Sequence, residues 1–157
     1  MKTEVTLTES AWNEMTRHAV ECFPEECCGV IIRRGDLDVV QRCQNIQNLK
    51  HKQDPINNPR DATIAYSIDP QELNVVLNAV AASGATLKAF YHSHPNHDAY
   101  FSAEDKAGAT PFGEPTYPDT AQIVVSIYDR IVKRVRAYLW SPEQQDFGEV
   151  AVTTLPL

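Results

Sequence analysis

The stretch that most constrains this chain runs from Leu87 to Asp105, where the apolar run Leu87-Lys88-Ala89-Phe90-Tyr91 leads into His92-Ser93-His94-Pro95. The run reads as a β-strand, and successive strand side chains point to opposite faces, so His92 and His94 share one face. Two imidazoles side by side are suited to sharing an ion. Pro95 lacks the N–H that a sheet ladder needs and closes the strand. A polar loop then leads to Ser102-x-x-Asp105 and Lys106-Ala107-Gly108-Ala109, which places Asp105 in the first turn of a helix.

Two neutral imidazoles and one carboxylate are the protein ligands of a catalytic zinc, which keeps its fourth position for water. A structural zinc is usually closed by thiolates, and no C-x-x-C pair occurs in this chain. Each half of the pattern also has a plainer reading. Ser102-x-x-Asp105 has the form of a helix capping box, and an H-x-H pair on a strand can be simple packing. The joint spacing H-x-H-P-x6-S-x-x-D favours Zn2+ held by His92, His94 and Asp105. His97, two residues beyond Pro95, reads as an exposed loop histidine.

The rest of the chain supplies a scaffold for that junction. Residues 8 to 22 read as an amphipathic helix with Thr8 as N-cap and Trp12, Met15, Ala19 and Cys22 at helical spacing. Pro24 ends it, and a loop carries Glu25 and Glu26 ahead of a strand near 28 to 34. Gly35-Asp36 marks a hairpin into Leu37-Asp38-Val39-Val40. The polar stretch 45 to 60, with four asparagines and two prolines, reads as a loop and as one wall of a groove. Asp69-Pro70-Gln71-Glu72 then starts a helix, with Asp69 at N-cap, Pro70 at N1 and Glu72 at N3 reaching back to the cap N–H. Leu73, Val76, Leu77 and Val80 form its stripe, and Gly84 suits the stop before the histidine strand. Residues 108 to 118 are too rich in Pro and Gly for a regular element. Ile123–Tyr128 and Val132–Trp140 read as a hairpin about Asp129-Arg130, and Phe147–Thr154 as a last, edge strand.

At 157 residues the length predicts one domain, residues 1-157, large enough to bury roughly 70% of its unfolded surface. No stretch approaches the ~18 apolar residues of a membrane span and no signal-peptide pattern opens the chain, so the expectation is a cytoplasmic protein with no membrane. The net charge of −7 argues against a phosphate-binding surface, hence no nucleic acid, and a protein or peptide partner fits better. Four cysteines, Cys22, Cys27, Cys28 and Cys43, form no disulfide framework and read as reduced, buried thiols.

The spacing of His92, His94, Ser102 and Asp105 resembles that of the JAMM (MPN+) zinc metalloprotease family. The likeness extends to Pro24-Glu25-Glu26-Cys27-Cys28-Gly29, to the helix start at Ile68-Asp69-Pro70 and to Ile123-Val124-Val125-Ser126. It implies an α/β (α+β) MPN/JAMM fold, a mixed curved β-sheet flanked by two main helices with cytidine-deaminase-like layering. It also implies zinc on His92, His94 and Asp105, Glu26 as general acid/base and Ser102 as an aid to the oxyanion. On residues alone Glu26 is a loop acid with Glu25 as its rival. Phe101 departs from the family pattern, where many members have Pro before the Ser. The resemblance further implies hydrolysis of an amide bond after the tail of a ubiquitin-like, sulfur-carrier type protein. The alternatives are a non-catalytic MPN scaffold and a peptidase acting on cell-wall or phage-tail material. A zinc deaminase is disfavoured because its H-x-E and P-C-x-x-C signature is absent.

Overall fold

A computed structural model describes residues 2–157 and, among them, seven strands and four helices. The strands are β1 (Glu4–Thr8), β2 (Cys28–Arg34), β3 (Leu37–Cys43), β4 (Thr86–Pro95), β5 (Ala121–Tyr128), β6 (Ile131–Ser141) and β7 (Asp146–Leu155). The helices are α1 (Glu9–Cys22), α2 (Gln47–Gln53), α3 (Pro70–Ser83) and α4 (Ala103–Ala109). All strands join one mixed sheet in the order β1-β7-β6-β5-β4-β2-β3, with β1–β7 and β4–β5 parallel and the remaining neighbours antiparallel. The sheet curls until its two ends meet. Thr8 N on β1 donates to Asp38 Oδ2 on β3 at 2.9 Å, although these strands stand at opposite ends of the order. Asp38 is buried, and Arg33 and Lys88 neutralise it.

The period-two alternation of β4 sorts the two sides of this sheet. Ala89 and Tyr91 pack with Met15 and Ala19 of α1, within a core that also takes in Leu7, Ile31, Ile123, Val125 and Ile127. Phe90 turns the other way, against Val80, Leu73 and Val76 of α3 together with Val30 and Ile32. Both faces of β4 are therefore covered, which is why residues 89–95 are buried without a break even though His92, Ser93 and His94 are polar. Isolated 14-residue helices are marginal in water, so α1 owes its persistence to Met15 and Ala19, each wholly buried.

Several local expectations correspond to what is observed. β2 and β3 form the hairpin around Gly35 (φ +58°), and β5 and β6 meet at Asp129 and Arg130, both at positive φ. Asp69 caps α3 by accepting from Gln71 N at 3.0 Å, and Gly84 ends it in the left-handed region at φ +71°. The crossover carried by α3 links β3 to β4, which lie either side of β2 and run parallel to each other.

Other expectations need correction. The stretch 45 to 60 contains the helix α2: Asn45 accepts from Gln47 N at its start, and Asn48 within it accepts from Ala62 N, so these two amides fasten the helix instead of making a turn. β7 is not an edge: β1, unforeseen in the sequence, pairs with its outer side, Glu4 opposite Ala151 through Thr8 opposite Leu155. Gly108 and Ala109 belong to α4. Thr8 stands at the N-cap of α1 without a side-chain cap bond, and Glu72 accepts from Gln44 N rather than from the cap of its own helix. Tyr138, which shares the parity of Arg134 and Arg136 along β6, is nevertheless buried and donates to Ala99 O at 2.6 Å.

Gly29 shows how tightly β2 meets β4. A Cβ there would lie 2.5 Å from Tyr91 Oη and 2.6 Å from the backbone oxygen of Gln41. Tyr91 is itself held by His18 Nδ1 at 2.7 Å, so neither neighbour can retreat cheaply. Gly29→Ala is expected to cost about 3 kcal/mol, the upper part of the range for overpacking a core. Urea unfolding of the two proteins checks this, and an unchanged midpoint would mean that Tyr91 moves aside.

Candidate metal centre

The parity of β4 that turns Phe90 toward α3 carries His92 and His94 to the same side. Beyond Pro95 the chain reverses at Asn96, whose φ of +61° an Asn tolerates better than most side chains. Three anchors fix the loop that follows. Asn96 N donates to Ile127 O at 2.7 Å, Ser126 Oγ donates to His97 O at 2.5 Å, and Tyr138 Oη holds Ala99 O. Phe101 packs on Tyr138 and Phe147 with ring centroids 5.5 and 4.9 Å away. The loop is thus stiffened by a half-buried ring at the position where the family pattern often has Pro.

Ser102 then caps α4. Its Oγ accepts from Asp105 N, and Asp105 Oδ2 accepts from Ser102 N, both at 3.0 Å. The same Oδ2 lies 3.1 Å from His92 Nε2 and 3.2 Å from His94 Nε2, and the two nitrogens are 3.1 Å apart. The capping box and the metal-ligand reading are therefore one arrangement. The cap aims the carboxylate, and the carboxylate meets the histidines.

This triangle fits a divalent ion. Ligands around a tetrahedral zinc with bonds of ~2.0–2.1 Å stand roughly 3.3 Å apart, close to the separations here. His94 Nδ1 donates to Asp98 O at 2.8 Å, which fixes the tautomer that leaves Nε2 with a free lone pair. His92 stacks on Tyr66, centroids 4.4 Å apart and planes 23° from parallel, while its buried Nδ1 has no partner. Burial pushes the His92 pKa below that of a free imidazole and keeps it neutral, as a ligand must be. Burial acts on His94 in the same direction, but the Asp105 carboxylate and the Asp98 carbonyl outweigh it and the net shift is upward. For Asp105, burial alone would raise the pKa; the two imidazoles and Ser102 N–H overcome it and hold the carboxyl well below its usual range.

Glu26 lies in the loop between α1 and β2, 6% exposed. Cys27 beside it is laced to β4: Cys27 N donates to Ser93 Oγ at 2.8 Å, and Ser93 N donates to Cys27 O at 3.1 Å. Ser93 separates the two histidines, so this lacing brings the loop acid alongside them. Glu26 Oε1 is buried without a hydrogen-bond partner. Burial raises its pKa, Asp105 adds to the rise, His94 and Arg60 oppose it, and the carboxyl is pushed up to about 8. Glu25 instead accepts from Asn48 Nδ2 at 3.1 Å, outside the cleft.

Glu26, His94, Ser102 and Asp105 line a common cleft of about 530 Å³. One wall comes from Arg60 and Ile64–Ile68, the other from Gly108, Ala109 and Pro115–Tyr117, over a floor of Phe90 and Leu73. The first wall thus begins where the stretch 45 to 60 ends. Arg60 and Glu104, paired at 2.7 Å, join the two sides at the rim. His97 reaches the cleft but is exposed and stands outside the ligand cluster. The four cysteines are free thiols, and burial raises Cys27 to about 12 and Cys43 to about 11, out of the reactive range. Among the described residues no helix is long and apolar enough to cross a membrane. Sequence reasoning missed Tyr66, Ser93 and Asn45, since nothing in their local pattern signals that a ring or an amide will reach the histidines or Glu26.

Residues 8–138 match the family described as prokaryotic homologs of the JAB domain. The chain belongs to that family. A desampylase of Haloferax volcanii is 31% identical to this JAB-domain chain over 110 residues, 68% of this chain and 73% of the relative. Among solved structures, a protein of Desulfitobacterium hafniense superposes with a TM-score of 0.70 at 23% identity, over 97% of this chain and 93% of the other. A JAB1/MPN domain protein from Archaeoglobus fulgidus superposes with a TM-score of 0.51 at 15% identity, over 95% of this chain and 99% of that one. At these identities the two structures establish the shared JAB1/MPN fold of the JAB-domain chain and nothing finer.

Proposed function

We propose that this chain is a zinc-dependent isopeptidase that hydrolyses the amide bond following the C-terminal tail of a ubiquitin-like protein of the sulfur-carrier type. The observation that carries the reading is a buried carboxyl with no partner, Glu26, in the same cleft as two imidazoles and a carboxylate that converge on one point. Similarity to a desampylase supports a hydrolase acting on ubiquitin-like modifiers. Zinc held by His92, His94 and Asp105 would polarise the scissile carbonyl and make water more acidic.

The protein's own groups supply the rest. Glu26 takes a proton from the attacking water and returns it to the leaving amine; burial raises its carboxyl in the metal-free protein, and a cation held beside it would favour the carboxylate that must accept first. The Oγ of Ser102 already accepts from Asp105 N, so its hydroxyl hydrogen is free to donate to the oxygen that gains charge as the carbonyl becomes tetrahedral. The stacked Tyr66 ring and the Asp98 carbonyl hold the two histidines in place. An extended tail would lie between the 64–68 and 115–117 walls, where main-chain hydrogen bonding suits a substrate without bulky side chains.

Incubation with a ubiquitin-like domain fused through its Gly-Gly end to a reporter tests the reading. Cleavage after the second Gly is expected, abolished by a chelator and restored by zinc. Cleavage indifferent to chelator, or none from zinc-loaded protein, would overturn it.

A further inference from the structure

The segment that places Glu26 belongs neither to the sheet nor to a helix. Both backbone groups of Glu26 bond to a stretch lying 19 to 36 residues further along: its N–H donates to Ala62 O at 2.7 Å, and its C=O accepts from Asn45 Nδ2 at 2.9 Å. Asn45 Nδ2 also donates to Ala65 O at 3.1 Å, and Asn45 Oδ1 accepts from Gln47 N and Ser67 N, each at 3.0 Å. Two donor hydrogens and two acceptor sites are all an amide side chain possesses, and every one is used. The bonds connect three things: the loop that carries Glu26, the start of α2, and the stretch 65–67 whose central residue, Tyr66, stacks on His92. Asn48 reinforces the joint one turn later by accepting from Ala62 N at 2.8 Å.

We infer that Asn45 is a positioning residue for the general acid/base, because its amide sets the Glu26 loop and the Tyr66 ring in register with the histidines. The inference rests on the proposed role of Glu26 and adds the part that holds it. An Ala side chain at 45 leaves Glu26 O and Ala65 O without donors, so the stretch 62–67 separates from the loop and Glu26 loses its fixed place. Asn45 touches the backbone of Glu26 and not its carboxyl, so its effect passes through the placement of Glu26.

Asn45→Ala tests this, with Asn45→Asp as a second variant that keeps the volume and the acceptor for Gln47 N and Ser67 N but removes both donors. Amide exchange on metal-free protein is the first readout. Protection of the Glu26 N–H, which Asn45 does not touch, is expected to fall about tenfold or more in either variant, while Val30 in β2 stays unchanged. The second readout is kcat per mole of zinc-loaded protein on the Gly-Gly fusion. It should fall about tenfold or more in Asn45→Ala, yet Asn45→Ala should change the residual rate of a Glu26→Gln background less than about twofold, since coupled residues are non-additive. Asn57→Ala, which removes an exposed amide of the same stretch bonded to Asp54 outside the cleft, is expected to leave Glu26 N–H protection and kcat as they are. Unchanged Glu26 protection in the Asn45 variants, or additive losses with Glu26→Gln, would overturn the inference. If Glu26→Gln itself cleaves normally, the role of Glu26 fails instead, and the exchange result still decides whether Asn45 fixes the loop.

Discussion

Glu26→Gln is expected to keep the fold and bind zinc as well as the parent while losing about 10²- to 10⁴-fold in hydrolysis, the usual contribution of a positioned acid/base. The substitution preserves shape and removes only the proton-transfer function, so metal content measured beside cleavage separates the two roles. Glu25→Gln, altering an acid bonded to Asn48 outside the cleft, should leave the rate nearly intact. The opposite ranking would transfer the role to Glu25. Stability should move the other way from activity. In the folded, metal-free protein the Glu26 carboxyl is raised from 4.5 to about 8 by burial. A folded-state pKa above the unfolded value means that stability is fully present below the unfolded pKa and declines as pH rises from 4.5 through about 8, where the unfolded chain has already released its proton. Metal-free Glu26→Gln carries no such term. At pH 8 it should exceed the parent in stability by roughly 2–4 kcal/mol, and at pH 4.5 the two should be nearly equal. Urea unfolding at both pH values checks this, and equal midpoints at pH 8 would mean that Glu26 is ionised at no cost in the folded state.

The elements legible in the sequence are those whose determinants are local. The hairpin at Gly35, the cap at Asp69 with its Gly84 stop, and the strand-to-helix junction at His92–Asp105 each depend on residues within about one element's length. What sequence could not supply was distant partnership. β1 has a clear alternation in Val5 and Leu7, but its pairing partner lies near residue 152, and nothing local says that so short a run will complete a sheet. The stretch 45 to 60 looked like a loop because asparagine is commonest in turns. Here, apart from the bond to Gln47 N, Asn45 and Asn48 spend their amides on chain 14 to 23 residues away. Tyr66 likewise shows no period, since the segment that presents it is irregular and held from outside. The convergence of His92, His94 and Asp105 was legible because two of them share a strand face and the third lies in the first turn of the next helix. The order of the two carboxyl groups, Asp105 well below and Glu26 well above the usual range, follows from burial and neighbours that only the folded chain brings together.

His92→Ala is expected to remove zinc altogether and to reduce cleavage to background. Two ligands would remain, His94 and Asp105, and a catalytic zinc takes three from the protein. The loss should also appear as lost stabilisation. A metal that binds only the folded protein stabilises it by RT ln(1 + [L]/Kd), about 4 kcal/mol when free zinc is a thousandfold above Kd. The parent's Tm should therefore climb as zinc is added, whereas that of His92→Ala should stay flat. Removing the ring also deprives Tyr66 of its stacking partner, so the metal-free variant should itself be somewhat less stable than metal-free parent. His97→Ala provides the contrast: this exposed histidine lies outside the cluster, and both the zinc content and the zinc-dependent rise should match the parent. A zinc-dependent rise in His92→Ala equal to the parent's would place the metal elsewhere in the chain, and the assignment of the triad would fall with it.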